Sequence, residues 1–233
     1  MKKIALIGST GSIGRQAVNV VLRYPDRFRI VAMAANSGGE RFEEQLARLR
    51  PDFAALRQEE GASLSVPQGV RFARGEGAFE EACSYADADI VIVAVTGFAG
   101  LKAALLAAAA GKDIALANKE SLVVGGALVL RRVREKGVNL IPVDSEHSAI
   151  WQCLNFDRAA PFSRLILTAS GGALRDVPPE KLAGVTAAQA LAHPNWNMGA
   201  KITVDCATML NKGFEVIEAM HLYAAPLDRI EVL

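Results

Sequence analysis

Three short stretches of this sequence gather carboxylates, amides and lysines more densely than a scaffold requires. In Pro142-Val143-Asp144-Ser145-Glu146-His147 two carboxylates lie two residues apart. On an extended segment, side chains so spaced leave the same face of the chain. Converging carboxylates repel one another, and a hard divalent cation removes that repulsion. The same residues suit a helix start, with Asp144 or Ser145 as N-cap of a helix over Glu146–Leu154, and the two readings are compatible. His147 alone reads as a local hydrogen-bonding residue. Further along, Asp205 through Glu215 (DCATMLNKGFE) adds a third carboxylate, Glu215, beside the donors Asn211 and Lys212. Those donors, and Ser170 ahead of Gly171 and Gly172, suit a phosphate group. The remaining stretch, Ala117-Asn118-Lys119-Glu120-Ser121, follows an apolar run. Helix-start chemistry accounts for Glu120 there but leaves Asn118 and Lys119 unexplained.

Residues this far apart in sequence need a scaffold to gather them. Apolar runs at Ile4–Ile7, Arg29–Ala34, Phe53–Leu56, Ile90–Ala94, Ile114–Ala117 and Asn139–Pro142 read as strands. Stretches of helical length lie between several of them: Gly14–Tyr24, Arg41–Leu49, Gly100–Ala110 and Ser121–Lys136. Strands this apolar, separated by crossover helices, indicate an α/β fold with a parallel sheet covered on both faces. After Val143 the rhythm changes. Ser145–Leu154 reads as a helix and Leu165–Thr168 as a strand, followed by glycine- and proline-rich loops and helices near Thr203–Met209 and Phe214–Tyr223. The expected organisation is a Rossmann-like domain over residues 1–146 and a smaller α+β domain over 147–233. Both polar stretches at Asn118 and Asp144 then follow strand ends, the edge where such sheets hold ligands.

The segment Lys3–Gly14, KIALIGSTGSIG, sets Gly8, Gly11 and Gly14 between the first strand and the first helix. Glycine lets the backbone turn sharply and approach a pyrophosphate, and the helix start offers free N–H groups. The spacing is GxxGxxG, one residue longer than the common GxGxxG. After the second strand comes Ala34-Ala35-Asn36-Ser37-Gly38, without the acidic residue that holds the ribose 2′-hydroxyl of NAD. No carboxylate repels a 2′-phosphate there, which favours NADP. Asn36, Ser37 and backbone amides are the groups at hand in that stretch. In the second half, the loop His193-Pro194-Asn195-Trp196-Asn197-Met198-Gly199 places a tryptophan between proline and glycine, an odd position for a core residue and a suitable one for a mobile lid. Residue chemistry alone thus reaches an NADP- and metal-dependent enzyme acting on a phosphorylated polar substrate.

The ordered set GSTGSIG, LANKESLV, PVDSEH, TASGGA, HPNWNMG and KITVDCATMLNKGFE closely resembles the 1-deoxy-D-xylulose 5-phosphate reductoisomerase family, over essentially the whole chain. The resemblance implies that Thr10, Gly11, Ser12 and Ile13 hold the NADPH phosphates, with Asn36 or Ser37 near the 2′-phosphate and Asn118, Glu120 and Gly199 near the rest of the cofactor. It implies Mg²⁺ or Mn²⁺ bound by Asp144, Glu146 and Glu215. Lys119, Ser145, Glu146, Ser170, His193, Cys206, Asn211, Lys212 and Glu215 would contact the sugar phosphate, under a lid carrying Trp196 and Met198; Lys119, Asp144, Glu146, Glu215 and His193 would be the catalytic set. The implied reaction converts 1-deoxy-D-xylulose 5-phosphate to 2-C-methyl-D-erythritol 4-phosphate for isoprenoid precursors, by rearrangement and then hydride transfer. Family members usually carry serine where this chain has Cys206, and a thiol is the weaker donor. They also continue past Leu233 with more sheet and a helical domain, so a truncated form of a homodimeric protein is expected. Two other readings are an NADP-dependent dehydrogenase of the semialdehyde or homoserine type, which needs no three-carboxylate metal site, and an inactive nucleotide-binding fragment.

Composition sets the limits. Across 233 residues, 51% hydrophobic and 22% charged, the chain is globular rather than disordered. A net charge of +1 gives no electrostatic case for nucleic acid or membrane as a partner. Cys83, Cys153 and Cys206 are odd in number and widely spaced, which excludes a paired zinc motif and suits free thiols in a reducing cytoplasm. The apolar run Ala103–Ala110 is too short to cross a bilayer, and no signal peptide is expected before the first strand.

Overall fold

The structure is a computed structural model that describes residues 1–61 and 63–233. It divides into two compact units, Met1–Asp144 and Ser145–Leu233, the division falling two residues before the expected boundary.

The first unit runs β1 (Lys2–Ile7), α1 (Ser12–Arg23), β2 (Phe28–Ala35), α2 (Glu40–Leu49), β3 (Phe53–Leu56), β4 (Arg71–Arg74), α3 (Glu76–Cys83), β5 (Ile90–Val93), α4 (Phe98–Ala109), β6 (Asp113–Leu116), α5 (Glu120–Lys136) and β7 (Leu140–Pro142). The strands form one seven-stranded sheet in the order β4-β3-β2-β1-β5-β6-β7, with every pairing parallel. This is the α/β class expected from the apolar runs. The central strands are buried along nearly their whole length, as a sheet covered on both faces must be. Ile4, Leu6, Ile30, Met33, Phe42, Leu46 and Leu56 form a core cluster between sheet and helices.

Two elements of this unit were not expected. β4 is only four residues, Arg-Phe-Ala-Arg, at the sheet edge. Its arginines guard an exposed edge against pairing and conceal the apolar run that would announce a strand. α3 is short, with a weak apolar face made mostly of alanines and Phe79.

The sheet order reverses at β1, which pairs with β2 on one side and β5 on the other. Chain connections leave this switch point in opposite directions, opening a crevice at the strand ends. The loop after β1 is locked into it. Gly8 has φ +94°, and a Cβ there would sit 2.5 Å from the Ala94 carbonyl oxygen that follows β5. Gly14, in the first turn of α1, rests on the loop itself, where a Cβ would meet the carbonyl oxygens of Gly8 and Ser9 at 2.2 and 2.6 Å. Gly11 is different: its nearest neighbour would lie 3.4 Å away, an ordinary contact.

The second unit holds α6 (Ser145–Cys153), β8 (Leu165–Leu167), a 3₁₀ turn (Pro179–Gly184), α7 (Ala187–Ala190), α8 (Ala200–Ala207), α9 (Leu210–Tyr223) and β9 (Ile230–Val232). β8 and β9 pair in parallel as a separate two-stranded sheet. α7 opens with a capping box between Thr186 and Gln189. Residues 192–199 contain neither helix nor strand, as the Pro–Gly-flanked loop suggests. No helix among the described residues is long and apolar enough to cross a membrane.

The glycine contacts separate two kinds of loop residue. Gly14→Ala must push α1 off its loop and should lower stability by about 3 kcal/mol, whereas Gly11→Ala should unfold close to the unmodified chain. Urea titration of both variants checks this; equal midpoints would mean the Gly14 contact is not rigid.

Candidate functional site

In the first unit the glycine loop is tied down by backbone. The Gly8 and Ser9 amides both donate to the Ala34 carbonyl at the end of β2, at 2.8 and 3.1 Å, and Gly11 N–H donates back to Gly8 O. Gln45 of α2 donates from Nε2 to Ser9 O at 2.8 Å. Thr10 is half-buried, while Gly11, Ser12 and Ile13 are exposed. No side chain caps α1, whose N-cap is Gly11. Its first-turn amides therefore remain available to an anion, and the helix dipole favours one there. Asn36 and Ser37 are exposed just past β2, so the expected phosphate-binding residues all sit at the sheet's ligand edge.

Asn118 follows β6 and is 2% exposed. Its amide donates to the Val95 and Gly97 carbonyls at 3.0 and 3.2 Å and to Glu120 Oε2 at 2.9 Å. Its Oδ1 accepts from the Ser121 amide at 2.9 Å and from the Ser121 hydroxyl. Asn118 is thereby a clamp that closes the loop after β5 onto the start of α5. Gly100 is the space left for it, since a Cβ there would fall 2.2 Å from Asn118 Oδ1. Next along, Lys119 is nearly buried and its ammonium lies 2.6 Å from Asp144, the final residue of this unit.

The second unit builds a denser polar cluster. α6 begins at Ser145, so Glu146 sits on the first turn of a helix rather than on an extended strand. The alternation argument for Asp144 and Glu146 therefore fails, and the helix start read beside it is what forms. Glu146 accepts from the Ser145 hydroxyl at 2.6 Å and from Lys212 Nζ at 2.9 Å. Lys212 also pairs with Glu215 one helical turn on, and Asn211 donates to the other oxygen of Glu215 at 2.5 Å. One ammonium thus holds two carboxylates, and Lys212 and Glu215 are 6% and 1% exposed. Burial pushes the Glu146 carboxyl up, but the Ser145 and Lys212 hydrogen bonds outweigh it and leave the carboxyl below its ordinary range. Burial likewise pulls Lys212 down, and its two carboxylate partners more than reverse this.

Behind this cluster lies a layer whose long-range partners residue chemistry did not identify, His147 having been read as a local hydrogen-bonding residue. His147 is fully buried, with Nε2 2.9 Å from the Glu215 backbone oxygen and Nδ1 3.4 Å from Glu218. A carbonyl can only accept, so Nε2 carries a proton. Tyr223 donates its hydroxyl to the His147 carbonyl at 2.5 Å. α6 is thereby bonded to α9 at the residue that bears Glu215. The signal for this layer was Glu218, an acidic residue three positions after Glu215 on a helix whose neighbours Ala219 and Leu222 are apolar and buried.

Ser170 and His193 form a second pair, 3.0 Å apart through Oγ and Nε2. His193 Nδ1 accepts the backbone amides of Asn195 and Trp196 at 3.1 and 3.0 Å. That leaves a neutral ring its proton on Nε2, which donates to Ser170. The Ser170 oxygen is then an acceptor, and its own proton is free for an anionic ligand. Trp196 is 63% exposed, Met198 half-buried and Gly199 the exposed N-cap of α8. Cys206 is half-buried on α8, so it is not the fully buried small hydrophobe that a core role would make it. Gly172 packs on its backbone, where a Cβ would lie 2.0 Å from the Cys206 carbonyl oxygen.

The donor set identifies the ion it would suit. Glu146 and Glu215 offer carboxylate oxygens around a position already filled by a positive charge, and no thiol shares the cluster; hard oxygen donors match Mg²⁺ or Mn²⁺ rather than a soft metal.

A profile described as 1-deoxy-D-xylulose 5-phosphate reductoisomerase matches residues 4–126, and one for the C-terminal domain of that enzyme matches residues 140–223. Curated relatives of that name include those from Gloeobacter violaceus, 51% identical over all of this chain and 61% of the relative, and Thermosynechococcus vestitus, 48% identical over all of this chain and 58% of the relative. The chain thus spans about 60% of the length of such relatives. Among solved structures, a DOX-P reductoisomerase in complex with NADPH, fosmidomycin and magnesium superposes with a TM-score of 0.91 at 36% identity, covering 100% of this chain and 60% of that one. The Zymomonas mobilis reductoisomerase in complex with NADPH gives 0.85 at 38% identity, with 99% and 60% covered.

Lys212→Met should leave the two carboxylates facing each other and cost about 3–5 kcal/mol. Millimolar Mg²⁺ should return part of that loss, a larger gain than it gives the unmodified chain. Thermal melts with and without the ion check this; a variant as stable as the parent would mean the pairs carry no energy.

Proposed function

The chain belongs to the 1-deoxy-D-xylulose 5-phosphate reductoisomerase family, and we propose that it carries the NADPH- and metal-binding residues for converting 1-deoxy-D-xylulose 5-phosphate to 2-C-methyl-D-erythritol 4-phosphate. The observation that carries this reading is the Glu146–Lys212–Glu215 cluster, with Lys212 and Glu215 buried and Glu146 half-buried, in a chain matched by the family over both of its units. Neither a dehydrogenase of the homoserine type nor a bare nucleotide-binding module needs two carboxylates gathered on one buried lysine.

In this proposal Thr10, Gly11, Ser12 and Ile13 receive the cofactor phosphates at the open start of α1. Asn36 and Ser37 lie toward the adenosine ribose. Asn118 holds the loops that Glu120 and Gly97 belong to, which fixes the floor of the cofactor crevice. Glu146 and Glu215 hold the divalent ion, with Asp144, two residues before Glu146 in the chain, as third ligand. Bound there, a divalent ion would supply Lewis acidity toward the ketose carbonyl, and the dinucleotide would supply hydride. Lys212, Asn211 and Ser170 supply donors for the substrate oxygens, and His193 keeps the Ser170 proton directed outward. The exposed Trp196 and half-buried Met198 belong to the segment that closes over the sugar phosphate and excludes water. Lys119, 2.6 Å from Asp144, pairs with that carboxylate and fixes its orientation.

Two outcomes test the reading. NADPH should bind at least about tenfold more tightly than NADH, a difference of about 1.4 kcal/mol; equal affinities in a fluorescence titration would remove the NADP assignment. Glu215→Gln should lower metal-dependent NADPH oxidation with the ketose phosphate by more than about a hundredfold, with NADPH affinity unchanged. A variant fully active at limiting Mg²⁺ would mean Glu215 is no ligand.

A further inference from the structure

Most arginines of the first unit already have a counter-charge or an aromatic face. Arg29 pairs with Asp52, Arg57 with Glu76 and Arg71 with Glu81, while Arg23 and Arg27 lie over Tyr24 and Phe28. Arg15, Arg41 and Arg48 differ: among the described residues none of them makes an ion pair. All three line one cleft of about 310 Å³ between α1 and α2, with Ser12, Glu44 and Gln45. Three cations face a single carboxylate there, so the cleft carries net positive charge.

Gln45 supplies an independent observation. It is 5% exposed and donates from Nε2 to Ser9 O. Because a carbonyl cannot donate, that bond fixes the orientation of the amide, with Oε1 as the remaining atom. Oε1 is buried and has no hydrogen-bond partner among the described residues. A buried acceptor left unsatisfied is costly. Gln45 lines the cleft, and a donor entering it, either a ribose hydroxyl or a guanidinium drawn in over a bound anion, would answer that oxygen.

The location restricts the anion. Arg15 lies in the first turn of α1 and Arg41 in the first turn of α2. Ser12 belongs both to the cleft and to the glycine loop. α2 follows directly on β2, the strand whose end takes the adenosine ribose in folds of this type. The loop between them, Asn36 to Gly39, contains no cation. We infer that Arg15 and Arg41, which share the cleft with Gln45, select NADP over NAD by clamping the adenosine 2′-phosphate. Guanidinium forks suit this task because they stay charged and bond phosphate in a bidentate manner. Asn36 and Ser37 then contribute hydrogen bonds and the two helices contribute the charge. The inference rests on the dinucleotide reading of the first unit.

The test is a titration of the chain and of Arg15→Gln, Arg41→Gln and the double variant with NADPH, NADH, 2′-AMP and inorganic phosphate. Each single variant should bind NADPH and 2′-AMP about tenfold more weakly, with NADH affinity unchanged, and the double variant should bind the two dinucleotides alike. Unchanged NADH binding also reports that the unit remains folded. A double variant that keeps the parental preference for NADPH overturns the arginine assignment and leaves the dinucleotide reading standing. An unmodified chain that binds neither dinucleotide overturns both. Inorganic phosphate bound as tightly as 2′-AMP would make the cleft a general anion site, and that too overturns the assignment.

Discussion

A carboxylate removed from water must be matched by positive charge or become neutral, and the second unit is arranged around that requirement. Glu215 is 1% exposed, and Glu146 shares its cation. Lys212 can serve both only because Lys212 and Glu215 lie three apart on α9 while α6 begins just where Glu146 can reach the same ammonium. The backbone is fixed by a separate set of bonds. His147 holds the Glu215 carbonyl and Tyr223 holds the His147 carbonyl, so the helices cannot slide without breaking buried hydrogen bonds. Charge and framework are thus secured by different residues. A change of cation at the carboxylates need not disturb the register of α6 against α9.

The first unit meets a different constraint with backbone rather than charge. Strand order reverses at β1, and the loop that follows must pass close to β5 and then support a helix. The conformation of Gly8 and the close seating of Gly14 make that possible; Gly11, with room to spare, stands apart as the residue whose smallness the fold does not demand. A glycine that packing leaves unexplained, at the open N-terminus of α1, is the one most naturally reserved for close approach of a ligand.

Much of this fold was legible because buried parallel strands are apolar from end to end. Six of the seven strands in the first sheet lie where the runs predict, each to within two residues at either end. β4 escaped because an edge strand carries charge where a central one carries valine. The carboxylates were legible as a group, but the reason given for their convergence was wrong: α6 starts at Ser145, so helix geometry and not strand alternation sets Glu146. His147 read as a local hydrogen-bonding residue, yet its partners lie on α9, and Glu218 showed only as an acid among apolar neighbours. Each looks ordinary alone, and their meaning comes from a contact across 71 residues between the two helices. Gln45 was hidden for the same reason, its role depending on the carbonyl of Ser9, 36 residues away.

Asn118 shows why a polar motif is not a roster of ligand contacts. Beside Lys119 and Glu120 it looked like chemistry, because a helix start did not require it. Yet its amide and oxygen together meet five partners within the protein. A loop at the ligand edge of a parallel sheet cannot borrow hydrogen bonds from the ladder, so side chains must satisfy its carbonyls. The residues that do so are polar, nearly buried and confined to that edge, which is also where contact residues lie. Composition cannot separate the two kinds. What separates them is whether the polar atoms are already used: at Asn118 they are, whereas one buried oxygen of Gln45 has no partner among the described residues.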